Sequence, residues 1–533
     1  MRRKNMKKTK AIVLVGLSAA IAFSAAGCGK KKTETAASKV EYTDGGYPVK
    51  CADKLTYWMD LDSSLSGSVE NFGDTPLAKE LEKETGIEVE YIHPQTGQAA
   101  EQFNIMLASD ELPDMVTYDW LNVGGGPDAS IKEEYIYKLN DAIDKWAPNL
   151  KKYLADNPDA DKKVKTDEGS YYGFPFIRGE EWMTYPQGLI LRKDWLDKIG
   201  MDEPKTLDEL EAVLRAFRSK CGAQAPLVLT LSQIQQLIYP FGIDPEFYID
   251  GGKVKYGAVT DEYKQALTKI KAWYDEGLLD NNLASADTKY NQARILNGDA
   301  GAYFGYVVSG MGAMLDAKPD DQPGFDLVAC QQPSLNGGTP EFSYKEDSVL
   351  TSYFVAIAKT CKNPELACRF LDYGFSDEGH KLFNFGIEGE SYKMVDGKPK
   401  FTELITKNPD GKTFSQAAAM YSRGGYSGVF VHDPEYVRQS LVYPQQENAY
   451  EKWSVSNMDK HRMPPITLSS EEQEEYANIM NDINTYVAEV RVNMITGKQS
   501  INEFDSYLKQ LKKYKIDRAV EIKQAAYDRY VKR

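Results

Sequence analysis

Residues 54–119 alternate between short apolar segments and amphipathic segments, and this alternation limits the possible fold more than any other feature. Segments with the length and composition of strands and of helices follow one another as 55–60, 76–85, 87–92, 98–109 and 114–118. Asp74 is placed to cap the first helix and Gly86 to end it. Strands joined through helices form a parallel sheet with both faces covered. The sequence therefore predicts an α/β fold that binds its ligand at the carboxyl ends of the strands.

A second block of alternating strands and helices lies between residues 188 and 358. Thr206 and Glu209 have the spacing of a capping box, which predicts the start of a helix. In the helix predicted at 261–277, Trp273 lies on the apolar stripe, so we assign this tryptophan to the core. Three amphipathic helices are predicted near the end of the chain.

The length of 533 residues and the hydrophobic content of 42% predict two or three domain-sized units. We expect five parts in chain order: a signal peptide at 1–27, a lipidated cysteine and flexible tether at 28–50, the first part of an N-terminal α/β lobe at 51–176, the main part of a C-terminal α/β lobe at 177–345, and, at 346–533, a crossing strand, the remaining lobe segments and C-terminal helices. The tether is predicted because residues 29–46 are small and charged, without the apolar surface that offsets the entropy of ordering.

The beginning of the chain has the pattern of a lipoprotein signal. Six Lys and Arg residues precede an apolar stretch of roughly a dozen residues, which is too short to span the ~30 Å hydrocarbon core of a bilayer. The following Ala25-Ala26-Gly27-Cys28 is similar to the lipobox, in which the cysteine thiol is diacylated and becomes the mature N-terminus. Ala25 stands where leucine is usual, and the alternative is an ordinary secretory signal cleaved near Ala26. We expect an anchor at Cys28 on the extracellular face of the cytoplasmic membrane.

Charge and residue content argue against several classes of function. The formal net charge of −15 repels nucleic acid and anionic lipid headgroups. Apart from Cys28, five cysteines are left without CxxC spacing, and the four histidines stand at no metal-ligand spacing. No glycine-rich loop of the kind that cradles phosphate is present. We therefore expect no nucleic-acid partner, no metal and no cofactor.

Aromatic residues cluster where the predicted strands end, and tyrosine is the most frequent of them with 34 residues. Aromatic rings stack on the apolar faces of sugar rings, whereas carboxylates and guanidinium groups bind hydroxyl groups. A cleft that binds sugars outside the cell needs this mixture. The expected ligand contacts are Trp58, Asp60, Tyr118, Asp119, Trp120, Phe176, Arg178, Trp182, Tyr306, Tyr421 and Tyr426. Asp60 and Asp119 would accept hydrogen bonds and Arg178 would donate them. Alternatively, Arg178 pairs with Glu180 or Glu181.

Four groups of motifs, in a fixed order along the chain, carry a resemblance to a known family. They are 108–114 (ASDELPD); 172–176 (YGFPF) with 191–200 (LRKDWLDKIG) and 204–210 (PKTLDEL); 384–392 (NFGIEGESY) with the turn 396–398 (DGK); and 495–498 (ITGK) with the helices at 508–527. With these motifs the sequence resembles the family 1 extracellular solute-binding proteins, in particular the long LplA-like lipoproteins of Gram-positive carbohydrate ABC importers. The resemblance extends over most of residues 54–530.

This resemblance implies a two-lobed, periplasmic-binding-protein-like fold with hinge-crossing strands and a helical C-terminal region. The lobes would close on an oligosaccharide, and the chain, as a monomer, would deliver it to the transmembrane permease of an ABC importer. Closure stabilised by the ligand is the expected mechanism. Some members carry a calcium loop after the segment that matches 193–200, but residues 201–204 are too short for it. Trp195 and 388–392 are expected to serve packing and turns.

Three alternatives remain open on the same residues. The transport role is compatible with a peptide or another polar solute as cargo. Glu180, Glu181, Asp119 and Asp60 would in principle supply the two carboxylates of a glycosidase, but no motif assigns an acid or a nucleophile, and no enzyme is predicted. A surface adhesin is the third alternative, and closure on a soluble sugar would argue against it.

Overall fold

The computed structural model describes residues 37–43, 46–425 and 428–533, except for the side chain of Tyr353. The predicted signal peptide at 1–27, Cys28 and Tyr426 therefore lie outside the described residues. All elements named below belong to the unit formed by residues 38–533.

Strands and helices alternate through most of the described chain. The strands are β1 Leu55–Trp58, β2 Val89–Ile92, β3 Met115–Tyr118, β4 Phe174–Arg178, β5 Gln187–Arg192, β6 Leu227–Val228, β7 Phe247–Asp250, β8 Lys253–Tyr256, β9 Ala302–Tyr306, β10 Leu327–Cys330, β11 Val349–Ile357, β12 Tyr392–Val395, β13 Lys398–Phe401 and β14 Val431–His432. The helices are α1 Pro76–Thr85, α2 Ala99–Ser109, α3 Gly126–Lys132, α4 Asn140–Trp146, α5 Pro148–Asp156, α6 Pro158–Lys163, α7 Lys193–Ile199, α8 Leu207–Ala216, α9 Gln235–Ile238, α10 Asp261–Glu276, α11 Thr288–Leu296, α12 Ala313–Asp316, α13 Pro364–Asp372, α14 Asp377–Phe385, α15 Glu403–Thr406, α16 Phe414–Tyr421, α17 Pro434–Ser440, α18 Pro444–Trp453, α19 Ser470–Ile495, α20 Phe504–Lys513 and α21 Ile516–Lys532.

The first lobe, here called the N-lobe, is built on a six-stranded sheet of order β14-β4-β11-β3-β1-β2. As the sequence predicts, β1 pairs in parallel with both β2 and β3, so Trp58 and Tyr118 end their strands at the same edge of the sheet. The late strand β11 runs antiparallel between β3 and β4. The N-lobe sheet is therefore completed by residues that lie far apart in the sequence.

The second lobe, here called the C-lobe, is built on a four-stranded sheet of order β10-β5-β9-β6. Successive residues of a strand point to opposite faces of its sheet, and β5 buries both. Leu189 and Leu191 belong to the core that contains Trp273 of α10, whereas Ile190 belongs to the core that contains Trp453 of α18. The C-lobe sheet is covered by helices on both faces, as the predicted alternation of elements requires.

The chain passes from one lobe to the other between β4 and β5 and again between β10 and β11. These crossing segments, residues 179–186 and 331–348, are joined by ion pairs. Lys345 of the second segment pairs with Glu181 of the first and with Asp459, which follows α18. A two-lobed α/β fold with crossing segments is the architecture that the sequence predicts.

Several local signals in the sequence are confirmed. Thr206 and Glu209 form a capping box at the start of α8, and Gly86 ends α1 with a φ of 72°. Trp273 is buried in the C-lobe core. Asn363 caps α13, as the spacing to Pro364 indicates, because its side chain accepts a hydrogen bond from the Leu366 amide.

Two predictions need correction. Thr75, not Asp74, caps α1, because its hydroxyl accepts the hydrogen bond of the Ala78 amide at 3.1 Å. Residues 38–43 and 46–50, from the C-terminal part of the segment predicted as a tether, pack on the N-lobe, where Val40 and Val49 are buried and Glu41 bridges to Lys50. These two apolar side chains supply the buried surface that the neighbouring small and charged residues lack.

No helix in the described part of the chain is long and apolar enough to cross a membrane.

Candidate functional site

A cleft of about 280 Å³ lies where elements of the two lobes meet. One wall is formed by residues after β1, including Met59, Leu65 and Phe72, which belong to the N-lobe core. The other wall is formed by residues that pack in the C-lobe, such as Val307 and Tyr450. Because both lobes contribute to its surface, this cleft has the position of a ligand site that opens and closes with the lobes.

The chain positions the cleft residues at the ends of strands. After β1, Asp62 accepts a hydrogen bond from the Ser64 amide at 2.7 Å and thereby fixes a short helical turn on the cleft wall. Tyr306 is the last residue of β9, and a helical turn at Val307–Gly312 follows it. Ligand sites in α/β proteins form where strands end. The rule that predicted Tyr306 from the sequence thus leads to the cleft.

Arg178, at the end of β4, is a second predicted residue that lines the cleft. It forms an ion pair with Glu346 of the crossing segment, and its side chain is only 2% exposed. The expected alternative partners Glu180 and Glu181 are not the ones observed; Glu181 pairs with Lys345 instead. Arg178 is therefore a buried charge whose carboxylate partner comes from the segment that joins the lobes.

The hydroxyl of Tyr306 lies in the same polar group. It is 3.1 Å from the Tyr344 hydroxyl and donates to Glu346 at 3.4 Å. Burial raises the pKa of Tyr306, so the phenol keeps its proton at neutral pH. Glu346 thus contacts a cation and two phenols at one point beside the cleft.

His432 of β14 is the most isolated polar side chain on the cleft surface. It is 3% exposed, and neither ring nitrogen has a hydrogen-bond partner among the described residues. Its neighbours are aromatic rings, with Phe176 at 5.7 Å and Tyr436 at 5.3 Å between centroids. Burial, with a smaller contribution from Arg178, lowers the pKa of His432 to about 3. Both ring nitrogens are buried, so the neutral imidazole keeps one donor and one acceptor unused behind the cleft surface.

The lowered pKa of His432 makes stability depend on pH. The unfolded chain binds a proton at His432 below about pH 6.5, whereas the folded chain does not until about pH 3, so folding stability falls as the pH drops through this range. We expect His432→Gln to remove a slope of up to about 1.4 kcal/mol per pH unit. Urea denaturation of both proteins from pH 7 to pH 4 measures this slope, and parallel curves for both proteins would contradict the prediction.

Three of the expected ligand contacts are core residues. Trp120 is 0% exposed, and its Nε1 donates to the Val116 carbonyl at 3.2 Å. Trp58 packs among the N-lobe aromatic side chains, and Phe176 packs against Phe430 at a centroid distance of 5.1 Å. Because these side chains are enclosed by protein, the structure corrects their expected role from stacking on a sugar to packing.

Tyr118, Asp119 and Asp60 lie at the predicted strand ends but do not line this cleft. The ring of Tyr118 stacks on Phe103 at 3.6 Å. Asp119 accepts a hydrogen bond from the side-chain Nδ2 of Asn122 at 2.7 Å, while its Oδ1 is buried without a partner among the described residues. Asp60 is exposed, and the surrounding protein raises the pKa of its carboxyl group. Of the three, Asp60 is the most accessible to solvent.

Trp182 and Tyr421 border the cleft rather than line it. Trp182, in the first crossing segment, contacts Tyr450 edge-to-face at 4.8 Å and donates to Glu180. Arg438 lies 5.3 Å from its ring. Tyr421 ends α16 and is partly buried. Tyr426 lies in the short segment that the structure does not describe.

Sequence analysis missed Asp62, Arg423 and His432. Arg423 is buried beside the cleft, with Nη1 3.6 Å from the Met59 sulfur and Cζ 5.1 Å from the centre of the Phe72 ring. Asp62 and Arg423 each stand close to a predicted residue, and their charge next to a strand end or an aromatic cluster was an available signal. His432 gave no such signal, because β14 has only two residues.

No three His, Cys, Asp or Glu side chains of the described residues come together as a group able to bind a metal ion. The five cysteines in this part of the chain are free thiols, among them Cys361 and Cys368. Burial raises the pKa of both thiols.

Comparison with known proteins identifies a matching family and several similar proteins. Residues 70–381 match the model of the bacterial extracellular solute-binding proteins. The chain is 26% identical to the fructooligosaccharide ABC transporter substrate-binding protein FusA of Streptococcus pneumoniae, over 98% of each protein. It is 29% identical to lipoprotein LipO of Bacillus subtilis, over 63% of this chain and 67% of LipO.

The fold also matches solved structures. The structure of the alginate-binding protein AlgQ2 without calcium ion superposes with a TM-score of 0.74 at 24% identity, over 89% of this chain and 98% of that protein. The superposition shows that the folds are alike, but at 24% identity it says nothing about which ligand this chain binds.

Proposed function

The chain belongs to the bacterial extracellular solute-binding proteins, and we propose that it captures an oligosaccharide in the cleft between its lobes and delivers it to the permease of an ABC importer. The observation that carries the proposal is the cleft itself, which combines walls from both lobes with phenols, serines, an imidazole and a guanidinium group. The name of FusA, which matches over nearly its whole length, supports an oligosaccharide as cargo.

The proposed cargo agrees with the chemistry of the cleft. Tyr306 and Tyr436 offer ring surface, and hydroxyl groups such as those of Ser309 and Ser440 lie beside them. Sugar rings present apolar C–H faces and a rim of hydroxyl groups, so they match this mixture.

The proposed mechanism is closure of the lobes around the ligand. Contacts that the ligand makes with both walls favour the closed form over the open form. The crossing segments 179–186 and 331–348 would carry the hinge motion, since they are the connections between the two sheets. No catalytic step is part of this proposal.

The proposed location is the outer face of the cytoplasmic membrane of a Gram-positive bacterium, with the anchor at Cys28. The similarity to lipoprotein LipO supports the anchor. We propose that the chain acts as a monomer, since delivery of one ligand to one permease needs no symmetric partner.

A thermal-shift screen tests the proposal directly. The chain beginning at Gly29 lacks only the predicted signal and the predicted lipidated cysteine, and it is screened against neutral and acidic oligosaccharides with peptides as controls. A ligand at 100 times its Kd adds about 2.7 kcal/mol to stability, which raises the Tm visibly. A shift with a peptide alone would keep the transport role and reject the carbohydrate. No shift with any solute would reject the proposal.

The variant Tyr306→Ala tests whether the glycan found in the screen binds in the cleft. We expect this variant to bind the identified glycan about tenfold more weakly, a loss of ~1.4 kcal/mol, because it removes a ring and a hydroxyl from the cleft wall. Tyr42→Ala is a matched control, since Tyr42 is 47% exposed and does not line the cleft. Titration calorimetry measures both affinities. Equal losses in the two variants would place the ligand elsewhere.

A further inference from the structure

A second cavity, of about 270 Å³, lies on the other side of the second crossing segment. Glu346 pairs with Arg178 at the main cleft, and the next residue, Asp347, lines this second cavity. The rest of its surface comes from β11, the segment after β3 with the start of α3, the segment before α19, and α19 and α21. A single peptide unit of the crossing segment therefore connects the surfaces of the two cavities.

Lys523 of α21 lines this cavity and pairs with no acidic side chain in the described part of the chain. Its Nζ lies 4.7 Å from the centre of the Tyr476 ring and 5.9 Å from that of Phe247. Among the described residues, no oxygen accepts a hydrogen bond from Lys523 and no carboxylate forms an ion pair with it. Burial lowers the pKa of its ammonium group to about 8. Aromatic faces hold a lysine cation but do not neutralise it.

Other charges around the cavity do not compensate Lys523. Asp347 is the acid on the cavity surface, and it already accepts from Lys163 at 2.9 Å and faces the Arg462 Nε at 3.5 Å. Arg462 also donates to the Lys345 carbonyl through Nη1. The Asp347 carboxylate thus already interacts with two cations, Lys163 and Arg462, and leaves the charge of Lys523 uncompensated.

The adjacent charged cluster is balanced within itself. Arg529 pairs with Asp167 and Glu472, and Arg533 pairs with Asp167, so two cations meet two carboxylates there. The cavity therefore has an excess of positive charge in a chain whose formal net charge is −15. Such a local excess favours an anionic group on the ligand over a neutral one.

The remaining cavity surface combines apolar and polar side chains. Pro464, Pro465 and Ile466 form a wall beside the ring of Tyr476. A suitable ligand therefore combines an apolar face with one negative charge. A uronic acid has this combination, because its ring carries axial C–H groups and its C6 is a carboxylate.

We propose that the second cavity binds the carboxylate of an acidic sugar unit, with Lys523 as the charged contact. The inference rests on the proposed function and narrows its cargo to oligosaccharides that contain a uronic acid. Lys523 would form an ion pair with the sugar carboxylate, and the proline wall with Tyr476 would contact the face of the ring.

Calorimetric titration with matched ligands tests this inference. The probes are the trimers of galacturonate, of mannuronate and of guluronate, each as the free acid and as the neutral methyl ester. We expect the wild-type chain to bind at least one acid tenfold or more tightly than its ester, and added salt to reduce that preference. Lys523→Met should bring the ratio close to one, whereas Lys523→Arg, which keeps the charge, should retain it.

Lys532→Gln is the matched control, because Lys532 lies exposed on the same helix and does not line the cavity. Its ratio should equal that of the wild type, and the Tm of each variant shows whether it folds. A wild-type ratio near one, or a preference that persists in a folded Lys523→Met variant, overturns the inference.

The same data separate this inference from the proposed function. Binding of neutral oligosaccharides without any preference for an acid leaves the oligosaccharide receptor standing and removes the uronate site. If no carbohydrate binds the wild-type chain, both are overturned.

Discussion

Glu346→Gln is expected to lower the free energy of unfolding by about 3–5 kcal/mol, toward the lower end of that range. The variant removes the negative charge beside Arg178, whose side chain is 2% exposed, while that of Glu346 is 17% exposed. A buried guanidinium group that loses this carboxylate loses an attraction that offsets part of the cost of leaving water. Urea denaturation at pH 7 measures the loss.

Two further variants define the cause of that loss. Glu180→Gln removes an exposed carboxylate of the first crossing segment, which lies 3.5 Å from Arg438, and should cost less than about 1 kcal/mol. The double variant Arg178→Met with Glu346→Leu should recover much of the stability, since an apolar pair replaces the buried charges. If Glu346→Gln is as stable as the wild type, the ion pair contributes nothing to the fold.

Trp120→Ala is expected to lower the free energy of unfolding by about 3–5 kcal/mol. The indole is fully buried against Phe103 at a centroid distance of 5.4 Å, and its removal leaves a cavity and takes away the hydrogen bond to the Val116 carbonyl. Denaturant unfolding gives the loss, and titration of the folded variant with the identified glycan should give the affinity of the wild type.

Trp182→Ala is the informative comparison, because Trp182 is partly exposed in the crossing segment and borders the cleft. We expect it to lose less stability than Trp120→Ala. A Trp120→Ala protein that is stable but no longer binds glycan would restore Trp120 as a ligand contact and contradict its assignment to the N-lobe core.

The elements of this fold could be predicted because their signals are local. The capping box of Thr206 and Glu209, the stop at Gly86 and the apolar stripe with Trp273 all involve residues within a few turns of each other. The alternation of strands and helices then indicated the parallel part of the N-lobe sheet. Motifs along the chain carried the resemblance that implied two lobes.

The side chains that face the cleft were harder to predict, because their orientation depends on distant residues. Arg178 pairs with Glu346, which lies 168 residues away, rather than with the neighbouring Glu180 or Glu181. Trp120 follows a strand end, as a ligand contact often does, but a short helical turn folds its ring back onto Val116. The position of a residue along a strand shows whether it lies at the edge of the sheet, but it does not show whether its aromatic ring is accessible to a ligand.

The order of strands in the N-lobe sheet has a consequence for how the chain is made. The neighbours of β4 are β11 and β14, so an interior strand of the sheet is missing until residues 349–357 have been synthesised, and an edge strand until residues 431–432 have been. A growing chain that ends before residue 349 has no partner for β4 and leaves one edge of β3 unpaired. The N-lobe therefore cannot complete its folding until residue 432 of 533 has been synthesised, so most of the chain leaves the ribosome before this sheet is complete.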